Sequence, residues 1–92
     1  MQIGLSAGFQ ADVRRLGPEE RAGVFEVILS LPRALGDPHA HSGLGLRKVH
    51  RSGIWEARLG LGLRLVFTLE PKILTLVRVG THDEVRRYLR SR

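Results

Sequence analysis

Two arginines, a glutamate and a histidine in the second half of the chain could do chemistry together. Arg58 ends the run "GIWEAR" and Arg64 opens "RLVFTL", on either side of Gly60–Gly62. If both runs are strands, alternation places Trp55, Ala57, Leu59, Leu63, Leu65 and Phe67 on one face, as a core. Glu56, Arg58, Arg64, Val66 and Thr68 then share the other face. Two neighbouring guanidiniums repel unless an anion lies between them. A bound phosphate would supply that anion, and so would a cross-strand ion pair to Glu56 or another acid. His82 follows Thr81 in "THDE", a sequence that suits a helix start. The positive end of a helix disfavours a second positive charge, and a neutral imidazole can accept a proton. "THDE" also reads as a capping sequence and nothing more. Lys48 and His50 stand just upstream and can join the same face.

Other motifs carry less. "GLGLR" occurs at Gly43–Arg47 and again at Gly60–Arg64. Neither copy opens a helix, as a phosphate-binding glycine loop must, and the spacing is too short for a repeat array. The second copy reads as a hairpin turn, and Arg47 in the first matches no functional position. His39 and His41 form H-x-H without a third spaced ligand, so no metal is expected. There is no G-x-S-x-G and no H-E-x-x-H. The absence of cysteine excludes disulfides, thiolate metal sites and a thiol nucleophile.

The elements that must position these residues follow from hydrophobic period. "QIGLS" reads as a first strand, and Phe9, Val13 and Leu16 as one face of a short helix that "LGP" ends. Pro18, Glu19 and Glu20 suit the first turn of a second helix. Its buried stripe is expected at Ala22, Phe25, Ile28 and Leu29, and its end before Pro32. After a long loop, "LRKVH", "GIWEARL", "LRLVFTL" and "ILTLVRV" read as a strand meander. Thr81 and Glu84 form a capping box for a last helix with Val85, Tyr88 and Leu89 inward. The expected fold is α+β, one domain over residues 1–92. It has a small antiparallel sheet, two N-terminal helices on one face and a short C-terminal helix.

The chain carries 15 basic and 9 acidic residues, and 13 of the basic ones are arginine. Residues 1–46 have net charge −1 and residues 47–92 net +7. A basic half rich in arginine points to a polyanion, nucleic acid first, against a solubilising surface or an acidic protein partner. No apolar run is long enough to span a bilayer, and "MQIGLSAGF" lacks the pattern of a signal peptide. A cytoplasmic protein without membrane association is expected.

Taken together, "GIWEARLGLGLRLVF" and "ILTLVRVGTHDEV" resemble the RelE/ParE superfamily of bacterial toxin–antitoxin systems. The matching positions are Trp55-Glu56-Ala57-Arg58, Gly60–Gly62, Arg64-Leu65-Val66-Phe67 and Val79-Gly80-Thr81-His82. The resemblance implies a RelE-like fold, no cofactor and a cognate antitoxin partner. In the RelE-like branch it implies a metal-independent endoribonuclease that cuts mRNA, usually on the ribosome, by 2′-OH attack on the scissile phosphate. Arg64 matches the arginine on that phosphate and Arg58 a neighbouring basic residue. His82 matches an acid–base position. Lys48, His50, Arg78, Arg86 and Arg87 would bind RNA. Two positions depart from the pattern. Arg86 stands where many relatives have tyrosine. Glu56 stands where potent ribonucleases are often basic, and either serves as the base or marks a weak or inactive copy. The ParE-like branch implies the alternative of a non-enzymatic inhibitor of DNA gyrase.

Overall fold

The computed structural model describes residues 2–36 and 43–91. The histidine pair His39 and His41 lies outside the described residues.

The chain begins with β1 (Gln2–Leu5) and turns at Ser6 into α1 (Ala7–Arg15). The Ser6 hydroxyl accepts from the Phe9 N–H at 3.0 Å and donates to the Val77 carbonyl at 2.9 Å. One side chain thus caps the helix and ties it to a distant strand. Gly17 breaks the helical run, and α2 (Pro18–Gly36) starts with Pro18 and two acids in its first turn, as expected.

The expectations for α2 need two corrections. It does not end before Pro32 but runs through it to Gly36. Its buried stripe is Val24, Ile28, Leu31 and Ala34, whereas Ala22 is exposed and Phe25 and Leu29 are 50% and 80% exposed. The two results have one cause. Both candidate stripes have helical spacing, but only the observed one continues beyond Pro32, through Ala34 and Leu35. Stopping the helix early removes the residues that distinguish the faces. Pro32 is itself exposed, so its ring does not compete with the core.

Four strands follow: β2 (Arg47–His50), β3 (Ile54–Leu59), β4 (Leu63–Glu70) and β5 (Ile73–Thr81). The sheet order is β1-β5-β4-β3-β2. β2 to β5 are antiparallel neighbours, as the meander requires, while β1 adds to β5 in parallel. The sheet is therefore mixed. The two helices between β1 and the meander supply the crossover that a parallel neighbour needs. The last element, α3 (His82–Arg90), follows β5 directly.

The two faces of the sheet are covered differently. Phe9 and α2 pack on Ala57, Leu59, Leu65, Phe67, Leu74, Leu76 and Val79, forming the main core. Trp55 stacks on Phe67 with ring centroids 6.4 Å apart. On the other face α3 lays Val85, Tyr88 and Leu89 over Ile54, Val66, Val49 and Val77. Val66, expected on the open side with the arginines, is fully buried under this helix. So α3 covers part of that face, and the arginine-bearing part is left uncovered. Among the described residues no helix is long and apolar enough to cross a membrane.

Candidate active site

Arg47, Glu56, Arg58, Arg64 and His82 line one cleft of about 360 Å³, with Gly45 and Leu46 completing its wall. The sheet register explains the convergence. Arg58 pairs directly with Arg64, Arg47 with Glu56, and Gly80 with Arg64 from the other side. His82, two residues past Gly80, is the first residue of α3.

The turn into α3 sets the histidine. The Glu84 carboxylate accepts from the Thr81 N–H at 2.8 Å, and the Thr81 hydroxyl accepts from the Glu84 N–H at 3.2 Å, closing the capping box. The Thr81 backbone hydrogen bond, then its side-chain one, hold the Glu84 carboxyl below its ordinary value. Gly80 makes room for this. A Cβ there would stand 2.9 Å from Glu84 Oε1 and 3.3 Å from its Cβ. The His82 ring is exposed and has no hydrogen-bond partner among the described residues.

Glu56 is 4% exposed and lies between two guanidiniums. Its Oε1 is 3.4 Å from Arg64 Nε and 3.6 Å from Arg47 Nε. The cross-strand ion pair weighed from the sequence is therefore present, but it engages Arg64 and not Arg58. Arg58 has no carboxylate partner among the described residues. Its guanidinium lies on the backbone of Gly45, which has φ +57°. A Cβ at Gly45 would stand 2.9 Å from Arg58 Cζ, so only glycine admits both the backbone and the guanidinium. Among the described residues, three arginines and one carboxylate give the cleft an excess of two positive charges, which can hold an anion.

The other candidate RNA contacts lie elsewhere. Lys48 pairs with Trp55, on the face away from the cleft. His50 sits past a bulge at the end of β2, where its Nδ1 accepts from the Ser52 N–H at 3.1 Å and contacts the Ser52 hydroxyl at 2.7 Å. Arg86 is exposed one turn along α3 from His82. Arg87 lines a separate pocket of about 420 Å³ with Arg15, Arg78, Glu84, Tyr88 and Ser91.

Arg78 is tied to Asp12, which is 2% exposed. Its Nε and Nη2 donate to the two carboxylate oxygens at 2.7 and 3.0 Å. Arg15 pairs with the same carboxylate, and the Val79 N–H donates to it at 3.0 Å. The Asp12 hydrogen bond pushes the Arg78 guanidinium further up from an already high value. Arg78 also lies over the Tyr88 ring, 5.5 Å from its centroid.

Sequence reasoning missed Arg47, Gly45 and Asp12. Alternation in "LRKVH" could have flagged Arg47, because it shares a face with Val49, which packs under α3. Gly45 and Asp12 gave no local signal. Their partners are Arg58 and Arg78, and the Asp12–Arg78 contact spans 66 positions.

No protein-family model matches the chain, and no curated protein does. Solved structures do match. A crystal structure of YafQ from E. coli strain BL21(DE3) matches with TM-score 0.76 and 20% identity, over 91% of this chain and 96% of that one. YafQ in the E. coli DinJ–YafQ complex matches with TM-score 0.73 and 22% identity, over 91% and 96%. The archaeal RelE–RelB complex from Pyrococcus horikoshii OT3 matches with TM-score 0.67 and 13% identity, over 87% and 92%. At 13–22% identity the likeness is one of fold, and the chain has the fold of the RelE/ParE-like toxins.

Proposed function

We propose that this protein is the toxin of a toxin–antitoxin pair and cleaves mRNA in the arginine-lined cleft. The carrying observation is that Arg58, Arg64 and His82, from three different elements, line one basic cleft. In the reaction the ribose 2′-oxygen attacks the adjacent phosphorus as its proton is removed. The bond to the 5′-oxygen breaks, and that oxygen takes up a proton. A 2′,3′-cyclic phosphate and a 5′-hydroxyl end result. Arg64 and Arg58 neutralise the charge that builds on the phosphorane. His82 is better suited than Glu56 to move a proton. Its ring is exposed and, among the described residues, unengaged, while Glu56 is buried between two cations. The cations the reaction needs are side chains, so cleavage is expected to proceed in chelator.

The cleft is open, as a long polymer substrate requires, and RNA held on the ribosome is compatible with it. The protein acts where its RNA is, in the cytoplasm. An acidic antitoxin segment would match the +7 half of the chain. The solved relatives include toxins crystallised with their antitoxins, DinJ with YafQ and RelB with RelE. The test is induced expression with RNA sequencing. Wild type should arrest growth and produce new 5′ ends in mRNA, and Arg64→Ala should do neither while remaining folded. Intact mRNA in wild-type cells would overturn the reading.

A further inference from the structure

We propose that Arg47 is a third phosphate-binding arginine. Glu56 is a positioning carboxylate that holds Arg47 and Arg64 over the cleft and yields them to an incoming phosphodiester. The inference rests on the RNA-cleavage reading and deepens it, by adding a residue to its anion site and giving Glu56 a role other than base.

The geometry at Glu56 is the ground. Arg47 on β2 and Arg64 on β4 approach from the two strands that flank Glu56, and both address the same oxygen, Oε1. The separations, 3.6 and 3.4 Å, exceed the roughly 2.7–2.9 Å of a charge-assisted hydrogen bond. Neither arginine donates a hydrogen bond to Glu56 among the described residues; Arg64 gives one donor to the Leu63 carbonyl at 3.1 Å. The guanidiniums are therefore attracted and aligned but keep most of their forked donors. Arg47 is the outer member, 64% exposed, and Arg64 the inner one, 19% exposed. A phosphodiester has two unbridged oxygens that suit such forks.

Glu56 acts in opposite directions on binding and on turnover. Its negative charge competes with the phosphate for the same cations, which weakens binding. Its fixed position keeps the arginines from swinging into solvent, which preserves their aim at the reacting phosphorus. Glu56→Gln keeps the shape and removes the charge, so it separates the two effects. A carboxylate that only stabilised the fold would not tighten RNA binding on its removal.

The test measures binding and cleavage of a short mRNA fragment, with 2′-deoxy substitution at the cut site for the binding arm. Glu56→Gln should bind about 3- to 10-fold more tightly, from loss of one like charge beside the phosphate, and cleave about tenfold more slowly. Arg47→Ala, at an exposed position where folding is not at stake, should bind about 5- to 10-fold more weakly. It should also reduce the slope of log affinity against log salt by about 0.7, the value for one contact to a single strand. Wild-type binding with both variants indistinguishable from it would overturn this inference and leave the cleavage reading standing. Weaker binding by folded Glu56→Gln would also overturn the positioning role. A wild type that does not bind the RNA would overturn both.

Discussion

Two buried carboxylates each stand beneath two arginines, and they are built differently. Asp12 receives direct hydrogen bonds from Arg78 at 2.7 and 3.0 Å, a further contact from Arg15 and the Val79 N–H. Glu56 is approached by Arg64 and Arg47 only to 3.4 and 3.6 Å, with no backbone donor among the described residues. The Asp12 site fixes structure. β1 pairs with β5 only as far as Leu76, and beyond it the Asp12 carboxylate takes the place of a neighbouring strand at Val79. Arg78 Nε and Nη2, Arg15 Nη2 and the Val79 N–H all donate to that carboxylate. At Glu56 the donors stay available, and the open cleft lies above them. The Asp12 cluster is satisfied from within, and the Glu56 cluster, next to solvent, is the one proposed to bind phosphate.

The largest effect is expected at Asp12. Asp12→Ala leaves Arg78 without its counter-ion and the Val79 N–H without an acceptor. It should cost about 3–5 kcal/mol of stability, the range for breaking a buried pair. Urea unfolding monitored by Trp55 fluorescence measures this, and a loss under 1 kcal/mol would remove the structural half of the contrast. Arg64→Ala should show the reverse pattern. Cleavage should fall roughly 100- to 1,000-fold, the effect of losing one transition-state charge contact, with stability nearly unchanged. Gly45→Ala should displace the Arg58 guanidinium and strain a backbone at φ +57°, slowing cleavage about tenfold while costing about 1 kcal/mol. Arginine side-chain NMR signals would show whether Arg58 moves.

The smallest effect is expected at Glu84. Its carboxyl titrates lower in the folded chain than in the unfolded one, so its contribution is complete above the ordinary value of 4.5. That contribution is lost as pH falls through the lower folded value. Glu84→Gln keeps the capping geometry and removes the titration, so the acid limb of the stability curve should flatten. The cap is solvent-exposed, and the change should be no more than about 0.5–1 kcal/mol. A wild-type and a variant curve of equal steepness below pH 4.5 would contradict it.

Local chemistry made much of this fold legible in the sequence. Strand alternation from Ile54 to Thr68 placed the arginines on one face, and "THDE" announced the helix that starts at His82. Of the candidate site, the sequence offered Arg58, Arg64, Glu56 and His82, and the fold brings these four into one cleft. What stayed hidden depends on contacts across the chain. Phe25 and Leu29 have the spacing of a core stripe, and only the sheet beneath α2 decides for Val24 and Leu31. Arg78 looks like a surface cation until Asp12, distant in sequence, meets it. The first "GLGLR" looked idle because its role lies in what touches it. Gly45 seats Arg58, and Arg47 faces Glu56.

RNA cleavage through the arginines of the cleft is proposed and can be tested directly. The most direct test is single-turnover cleavage of an mRNA fragment, with ribosomes present and absent, by wild type and by Arg64→Ala of matched thermal stability. Cleavage leaving a 2′,3′-cyclic phosphate, slowed at least 100-fold by Arg64→Ala, is the predicted result. Intact RNA with wild type under both conditions, or equal rates for the two proteins, would contradict it.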